Sequence, residues 1–282
     1  MRQILFEVPG IGVKIFGYGL MLFFAFLASM NLAAWRARRE KIDPEIVYDL
    51  ALYVFLGGLI GARGFYVGQY WGTRIHSFWE IFQIWNGGIV LYGSIIGGTA
   101  AFLVYRLIRP FPLRPMLDVI APSLALGIAI GRLGCFLNGC CYGDTCDLPW
   151  AVSFPKLSPP WQAEVSRHLI PPNAEHSLAL HPTQLYSTID GLILTLLLSA
   201  YYPLRRRDGE VMGLLMITYP VTRYLVEHLR NDEGIFFAGM TISQLISVGL
   251  MASGVIYWVW LSRLPRERFA DQLEPSELQA VS

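Results

Sequence analysis

Apolar residues are gathered into seven long runs, and the places where those runs are interrupted are as informative as their length. Residues 15–35, 81–105 and 234–262 contain no ionisable side chain. A helix needs about 20 mostly apolar residues to cross the hydrocarbon of a bilayer, so these three runs predict membrane spans. Four further runs each carry one ionisable group inside or at an edge: 50–70 with Arg63, 119–142 with Arg132, 185–204 with Asp190 and 211–226 with Arg223. Together they predict an all-α integral membrane protein of about seven transmembrane helices, with residues 1–264 as a single transmembrane domain.

Residues 144–182, between the fourth and fifth runs, read differently. Seven prolines deny this segment a long helix, while Trp150, Phe154 and Trp161 give it apolar anchors. A small ordered cap at the membrane surface is expected there, with an inert connection as the plainer alternative. Residues 265–282 read as a polar tail.

Composition sharpens the picture. Of 282 residues, 54% are hydrophobic and 15% charged, against about a quarter charged in ordinary soluble domains. The net charge of +1 gives no basic surface for nucleic acid, and 13% aromatic residues argue against disorder. Basic residues in short loops stay on the cytoplasmic side. They concentrate after the first, third and fifth runs and in the tail: Arg36, Arg38, Arg39 and Lys41; Arg106, Arg109 and Arg114; Arg205, Arg206 and Arg207; Arg263, Arg266 and Arg268. The other side holds only Arg2, Lys14, Arg74, Lys156, Arg167 and Arg230. This asymmetry predicts an external N-terminus, an external cap and a cytoplasmic C-terminus. The first run is expected to remain uncleaved, because it is too long for a signal peptide and lacks a small-residue cleavage site.

Candidate chemistry lies where charge is most unfavourable. An arginine near the centre of a bilayer costs roughly 3 kcal/mol on insertion scales, so it requires partners or a function. In the last-but-one run, Tyr219, Arg223, Glu227 and Arg230 are spaced by four, four and three, which places them on one stripe of a helix. Glu227 can pair with Arg223 one turn away, but two arginines and one carboxylate leave positive charge in excess. A guanidinium fork matches phosphate oxygens bidentately, so the stripe suits a phosphate.

At the external end of the fourth run stands GRLGCFLNGCCYG, residues 131–143, with Arg132, Asn138 and four glycines that allow backbone to approach a ligand. Small residues also pack helices together, and that reading is preferred for Gly57 with Gly61 and Gly93 with Gly97. HPTQLY, residues 181–186, places His181, Gln184 and Tyr186 where the cap enters the fifth run, with Pro182 suited to a first helical turn. A lone histidine is commonly structural, so His181 stands as a candidate rather than an assigned catalyst.

All four cysteines, Cys135, Cys140, Cys141 and Cys146, fall within twelve residues. On the external side a disulfide from Cys140 or Cys141 to Cys146 is possible, and buried free thiols equally so. A zinc site competes, although the spacing lacks paired C-x-x-C units and neighbouring histidines. The cluster motivates a second functional class, a membrane thiol/disulfide redox protein. A transporter would use a similar polar interior but would show repeated halves, and none is visible.

Tyr18-Gly19-Leu20-Met21, the segment GGIVLYGSIIGG at 87–98, GRLGCFLNGCCYG, HPTQLY and YPVTRYLVEHLR at 219–230 occur in this order over nearly the whole chain. In that combination the sequence resembles the prolipoprotein diacylglyceryl transferase family. The resemblance implies a bacterial inner-membrane enzyme that moves diacylglyceryl from phosphatidylglycerol to the lipobox cysteine of a preprolipoprotein, with membrane lipids and preprolipoprotein signal peptides as partners. It implies that Arg132 and Arg223 are essential, with Tyr219 in support, and that Tyr18, Arg63, Asn138, Gly143, Glu227 and Arg230 belong to the site. No metal or other cofactor is expected, since orientation and electrostatics can carry a displacement.

Four positions depart from the family pattern. Tyr92 stands where many members have histidine, Cys135 where asparagine is usual, Cys140 where glutamate is usual, and Ser187 where an acid commonly follows HPTQLY. Tyr92 can donate a hydrogen bond but is a poor base at neutral pH. The acceptor thiol then loses its proton to His181, Glu227, solvent or the field of the arginines. A relative that has kept the lipid site and changed its acceptor is the nearest alternative.

Overall fold

The structure, a computed structural model, describes residues 4–7, 14–73, 75–83, 87–230, 234 and 236–272. Arg2, Arg74 and residues 273–282 of the tail lie outside the described residues. A short antiparallel hairpin, β1 (Ile4–Glu7) with β2 (Lys14–Phe16), precedes a succession of helices. These are α1 (Gly17–Arg39), α2 (Pro44–Tyr70), α3 (Leu91–Ile108), α4 (Leu113–Asn138), α5 (Pro159–Ser166), α6 (Thr183–Tyr201), α7 (Glu210–Glu227), α8 (Ile242–Ser262) and α9 (Phe269–Gln272). Six of them, α1 to α4, α6 and α8, are long and apolar enough to cross a membrane. The remaining expected run, 211–226, forms α7, an 18-residue helix bounded by Glu210 and Glu227.

Several limits differ from the apolar runs. The run 81–105 becomes helical only at Leu91: Phe78–Phe82 forms a 3₁₀ turn, and Gly87 and Gly88 take φ of 84° and 82°, which interrupts a helix. The run 234–262 becomes helical at Ile242, after a turn closed between Phe237 and Met240. Thr241 caps that start in a capping box with Gln244. The fourth run ends its helix at Asn138, because Gly139 turns out at φ 75°.

The chain divides into two compact units. One runs from Ala34 to Met116 and is built on α2 and α3. Their crossing is set by glycine: a Cβ on Gly61 would stand 2.2 Å from the Gly93 carbonyl oxygen, and one on Gly97 2.2 Å from that of Gly57. The small-residue packing expected for these four glycines is what the two helices use. At one end of the pair, Arg109 bridges Asp43 at 3.0 Å and Asp49 at 3.2 Å.

The other unit comprises residues up to Ala33 together with Leu117–Gln272. Its apolar centre joins Ala121 and Ala125 of α4 to Leu194 and Leu198 of α6 and to Val211 and Leu215 of α7. One polar joint fixes how α7 starts. The Asp118 carboxylate of α4 is fully buried and accepts from the Gly209 and Met212 amides at 2.7 and 3.0 Å, capping α7. Arg205 reaches the same carboxylate at 3.3 Å and lies 4.1 Å from the Tyr202 ring centroid. The helices that carry Arg132 and Arg223 are therefore registered against each other through Asp118.

Replacing Gly61 or Gly97 with alanine is expected to destabilise the α2–α3 pair by about 1–3 kcal/mol, because backbone rather than a flexible side chain must yield. Thermal unfolding in detergent checks this, with Gly64→Ala as control, since nothing stands within 4 Å of a Cβ there.

Candidate functional site

The stripe read from the sequence of α7 is a connected set of ions. Arg223 pairs with Glu227, and Arg230 approaches the same carboxylate oxygen at 3.6 Å. The other oxygen of Glu227 accepts from the Thr241 hydroxyl at 3.3 Å. Glu227 is 2% exposed, so its charge is held by these neighbours and not by water. One carboxylate thus holds two guanidiniums. Tyr219, on the same stripe, packs against the apolar centre of the unit. Beside it, Thr222 donates to Asp190 of α6 at 2.8 Å, giving the carboxylate of the fifth run a partner within the bundle.

Arg230 and Arg132 both lie near enough to Cys141 to act on its sulfur electrostatically, and Arg132 is likewise near Tyr18 of α1. The half-buried Arg132 has no salt bridge to a described carboxylate, which leaves its donor fork available.

The turn after α4 is held by main-chain and side-chain bonds from the HPTQLY segment. The Thr183 hydroxyl donates to the Cys141 carbonyl at 2.7 Å, and Gln184 Nε2 donates to that of Cys140 at 2.8 Å. Both residues are fully buried. Gln184, expected to touch substrate, instead shapes the turn. His181 belongs to the same junction: its amide donates to the Asp144 carbonyl, its own carbonyl accepts from the Gly143 amide, and its Nδ1 lies 3.3 Å from the Tyr186 hydroxyl. Gly143 has to be glycine, since a Cβ would meet His181 Cβ and the Leu229 carbonyl oxygen, each at 2.6 Å. Asn138 hydrogen-bonds the Cys140 sulfur from the last turn of α4.

The cysteines are free thiols, one of the two states that the sequence leaves open, and no disulfide to Cys146 is formed. Cys135, Cys140 and Cys141 instead converge, their sulfurs within 4.8 Å of one another. Cys141 takes φ 59°, a left-handed conformation unfavourable to a side-chain-bearing residue.

Arg63 and Tyr92 belong to the α2–α3 unit. The Arg63 guanidinium is only 8% exposed and donates to the carbonyls of Glu80, Ile81, Gly87 and Gly88. It orders the loop that delivers α3, on whose first turn Tyr92 is exposed. The sequence named Arg63 as a candidate ligand contact; its observed partners make it the organiser of a loop.

The segment 144–182 is folded. Phe154 is fully buried, Trp161 donates to the Ala174 carbonyl at 2.8 Å, and the Trp150 indole donates to Tyr186 at 2.8 Å. Sequence reading missed Glu164, which is 5% exposed and accepts from the Leu178 amide at 2.9 Å. It missed Thr183 and Asp118 as well. Thr183 lay inside a motif already singled out, whereas Asp118 gave no local signal, because its partners are some 90 residues away in the chain.

The fold defines a multipass membrane protein, with Arg132, Arg223 and Arg230 carried by one helical unit. The comparisons are specific. The family described as prolipoprotein diacylglyceryl transferase matches residues 3–260. Among relatives named phosphatidylglycerol–prolipoprotein diacylglyceryl transferase, that of Synechococcus elongatus is 36% identical over 255 residues, covering 88% of this chain and 84% of its own. That of Clostridium tetani is 33% identical, covering 90% and 96%, and that of a Nostoc species 32%, covering 92% and 88%. The chain belongs to the prolipoprotein diacylglyceryl transferase family.

Burial raises the Glu164 pKa above the ordinary 4.5, against the opposing Leu178 amide. The folded state therefore holds this proton more tightly than the unfolded chain. Its contribution to stability is greatest below the ordinary value, declines as pH rises through the window up to the raised pKa, and is constant above it. Glu164→Gln is expected to remove this decline, so that its Tm relative to the parent rises between about pH 4 and pH 7. Thermal melts across that range check the sign.

Proposed function

We propose that this chain transfers the diacylglyceryl group of phosphatidylglycerol to the lipobox cysteine thiol of preprolipoproteins and releases glycerol phosphate. The observation that carries this reading is the pairing of two guanidiniums, Arg223 and Arg230, with the buried Glu227 inside an apolar helical unit that also carries the half-buried Arg132. A phosphodiester is the chemistry such a site suits.

In the reaction a thiolate attacks the glycerol carbon, a C–S bond forms as the C–O bond to phosphate breaks, and the electron pair leaves on the phosphate. Negative charge concentrates on the departing monoester, so fixed guanidinium donors stabilise the transition state more than the diester ground state. Arg132, with its open fork, and Arg223 are assigned that role. Glu227 orients Arg223 and Arg230 and limits their mutual repulsion. Tyr18 and Tyr219 flank the lipid, with Asn138, Gly143, His181 and Gln184 shaping the turn around it. Arg63 supports the loop ahead of Tyr92, which donates a hydrogen bond.

For localisation we place the chain in the bacterial inner membrane. α7 serves as the sixth of seven spans, the N-terminus and the 144–182 cap face outward, and the C-terminus faces the cytoplasm. The clustering of arginines after the first, third and fifth spans supports this orientation.

Expression in cells depleted of their own transferase, with a reporter lipoprotein weighed by mass spectrometry, is expected to restore a diacylglyceryl mass increase. An unmodified reporter beside stable expression contradicts the reading. Lysine at position 132 or 223 keeps the charge but loses the fork, and each variant is expected to reduce transfer by about 100-fold or more. Initial rates with purified protein measure this, and wild-type rates in Arg132→Lys would contradict the bidentate role.

A further inference from the structure

The three sulfurs at the end of α4 form a site that the transfer reading does not use. Around a tetrahedral zinc ion with Zn–S bonds of about 2.3 Å, thiolate sulfurs stand about 3.8 Å apart. The sulfurs of Cys135, Cys140 and Cys141, all within 4.8 Å of one another, need move only about 1 Å to close on such an ion. Their presentation is built in. Cys141 is held in a left-handed conformation by the Thr183 hydroxyl on its carbonyl, and Gln184 fixes the carbonyl of Cys140.

Two features bear on what such an ion would do. Among the described residues no histidine, carboxylate or fourth cysteine joins the group. Three protein ligands and an open fourth position are the arrangement of a catalytic zinc, whereas a structural zinc is closed by four. A divalent ion on three thiolates carries a net charge of −1, and on four −2.

We propose that Cys135, Cys140 and Cys141 bind a thiophilic divalent d10 cation of the zinc class, and that its open position takes the acceptor cysteine as a thiolate. This rests on the transferase reading and deepens it, because the acceptor in that reaction is a thiol that must lose its proton. A thiol that coordinates such an ion is deprotonated outright. The proton passes to solvent, the coordinated sulfur supplies the electron pair for the new C–S bond, and the C–O bond to phosphate breaks with its pair on the leaving group. The thioether product, neutral and a weaker donor, then leaves the ion. The group adds nucleophile activation to a site whose arginines already serve the leaving group.

Cobalt(II) is the probe, since its near-ultraviolet charge-transfer band counts thiolate ligands. The full chain in detergent, reduced and handled without oxygen, is expected to bind one equivalent with that band. Cys135→Ser, Cys140→Ser and Cys141→Ser should each weaken binding at least about tenfold, and Cys146→Ser should leave it unchanged. A lipobox peptide should intensify the band, while the same peptide with serine for cysteine should not. Absence of a saturable band in the reduced parent protein, which needs no variant to fold, overturns the site. A band indifferent to the peptide thiol overturns its role, as does transfer at an undiminished rate after all metal is stripped; that last result leaves the transferase reading standing. Peptide ligation is read without any lipid, so a chain that ligates the peptide thiol yet transfers nothing removes the transferase reading and keeps the site.

Discussion

The constraint on which the structure turns is that a guanidinium removed from water must be surrounded by acceptors, and the number supplied decides what the arginine can do. Arg63 receives four backbone carbonyls and becomes the organiser of a loop. Arg205 receives Asp118, Asp208 and the Tyr202 ring, and becomes a joint between helices. Arg223 and Arg230 meet at one carboxylate, and Arg132 has no salt bridge to a described carboxylate. Arg132 thus keeps a donor fork whose coordination an anionic ligand can complete.

That arrangement depends on parts with no contact with a ligand. Asp118 ends the orphaned amides of α7 and holds Arg205, so it sets the height at which α7 begins. Roughly four to five turns later, the same helix presents Arg223 and Glu227. In the α2–α3 unit the glycine crossing performs the analogous task, and Arg63 draws the intervening loop against the helix that precedes it. Each unit thus pairs an apolar contact that fixes separation with a buried ionic or polar one that fixes register.

Much of this was legible in the sequence because it is local or periodic. The helices follow from run length, and the α7 stripe follows from spacings of four, four and three. The Gly57, Gly61, Gly93 and Gly97 crossing follows from two small residues one turn apart on each helix. Helix limits were less legible: the run 81–105 is apolar throughout, but Gly87 and Gly88 break it, and hydrophobicity alone cannot show where backbone turns. Long-range partners were not legible at all. Nothing near Asp118 announces Gly209, and the hydroxyl of Thr183 looks no different from any other until Cys141 is placed 2.7 Å away. The bracing role of Gln184 was hidden for the same reason, since a polar residue at the head of a span suits a ligand contact as well as it suits a buried brace. The cysteines left a disulfide and free thiols equally open in the sequence, and the left-handed turn at Cys141 folds three of them onto one point.

The hold that Thr183 and Gln184 have on residues 140 and 141 has an evolutionary corollary. Both grips are on main-chain oxygens, which every amino acid possesses, so neither depends on what projects from the chain. The side chain at position 140 can be exchanged, glutamate for cysteine included, without loosening them, whereas position 141 stays restricted by its left-handed backbone. The enzyme can therefore vary its chemistry at this corner while inheriting its shape unchanged.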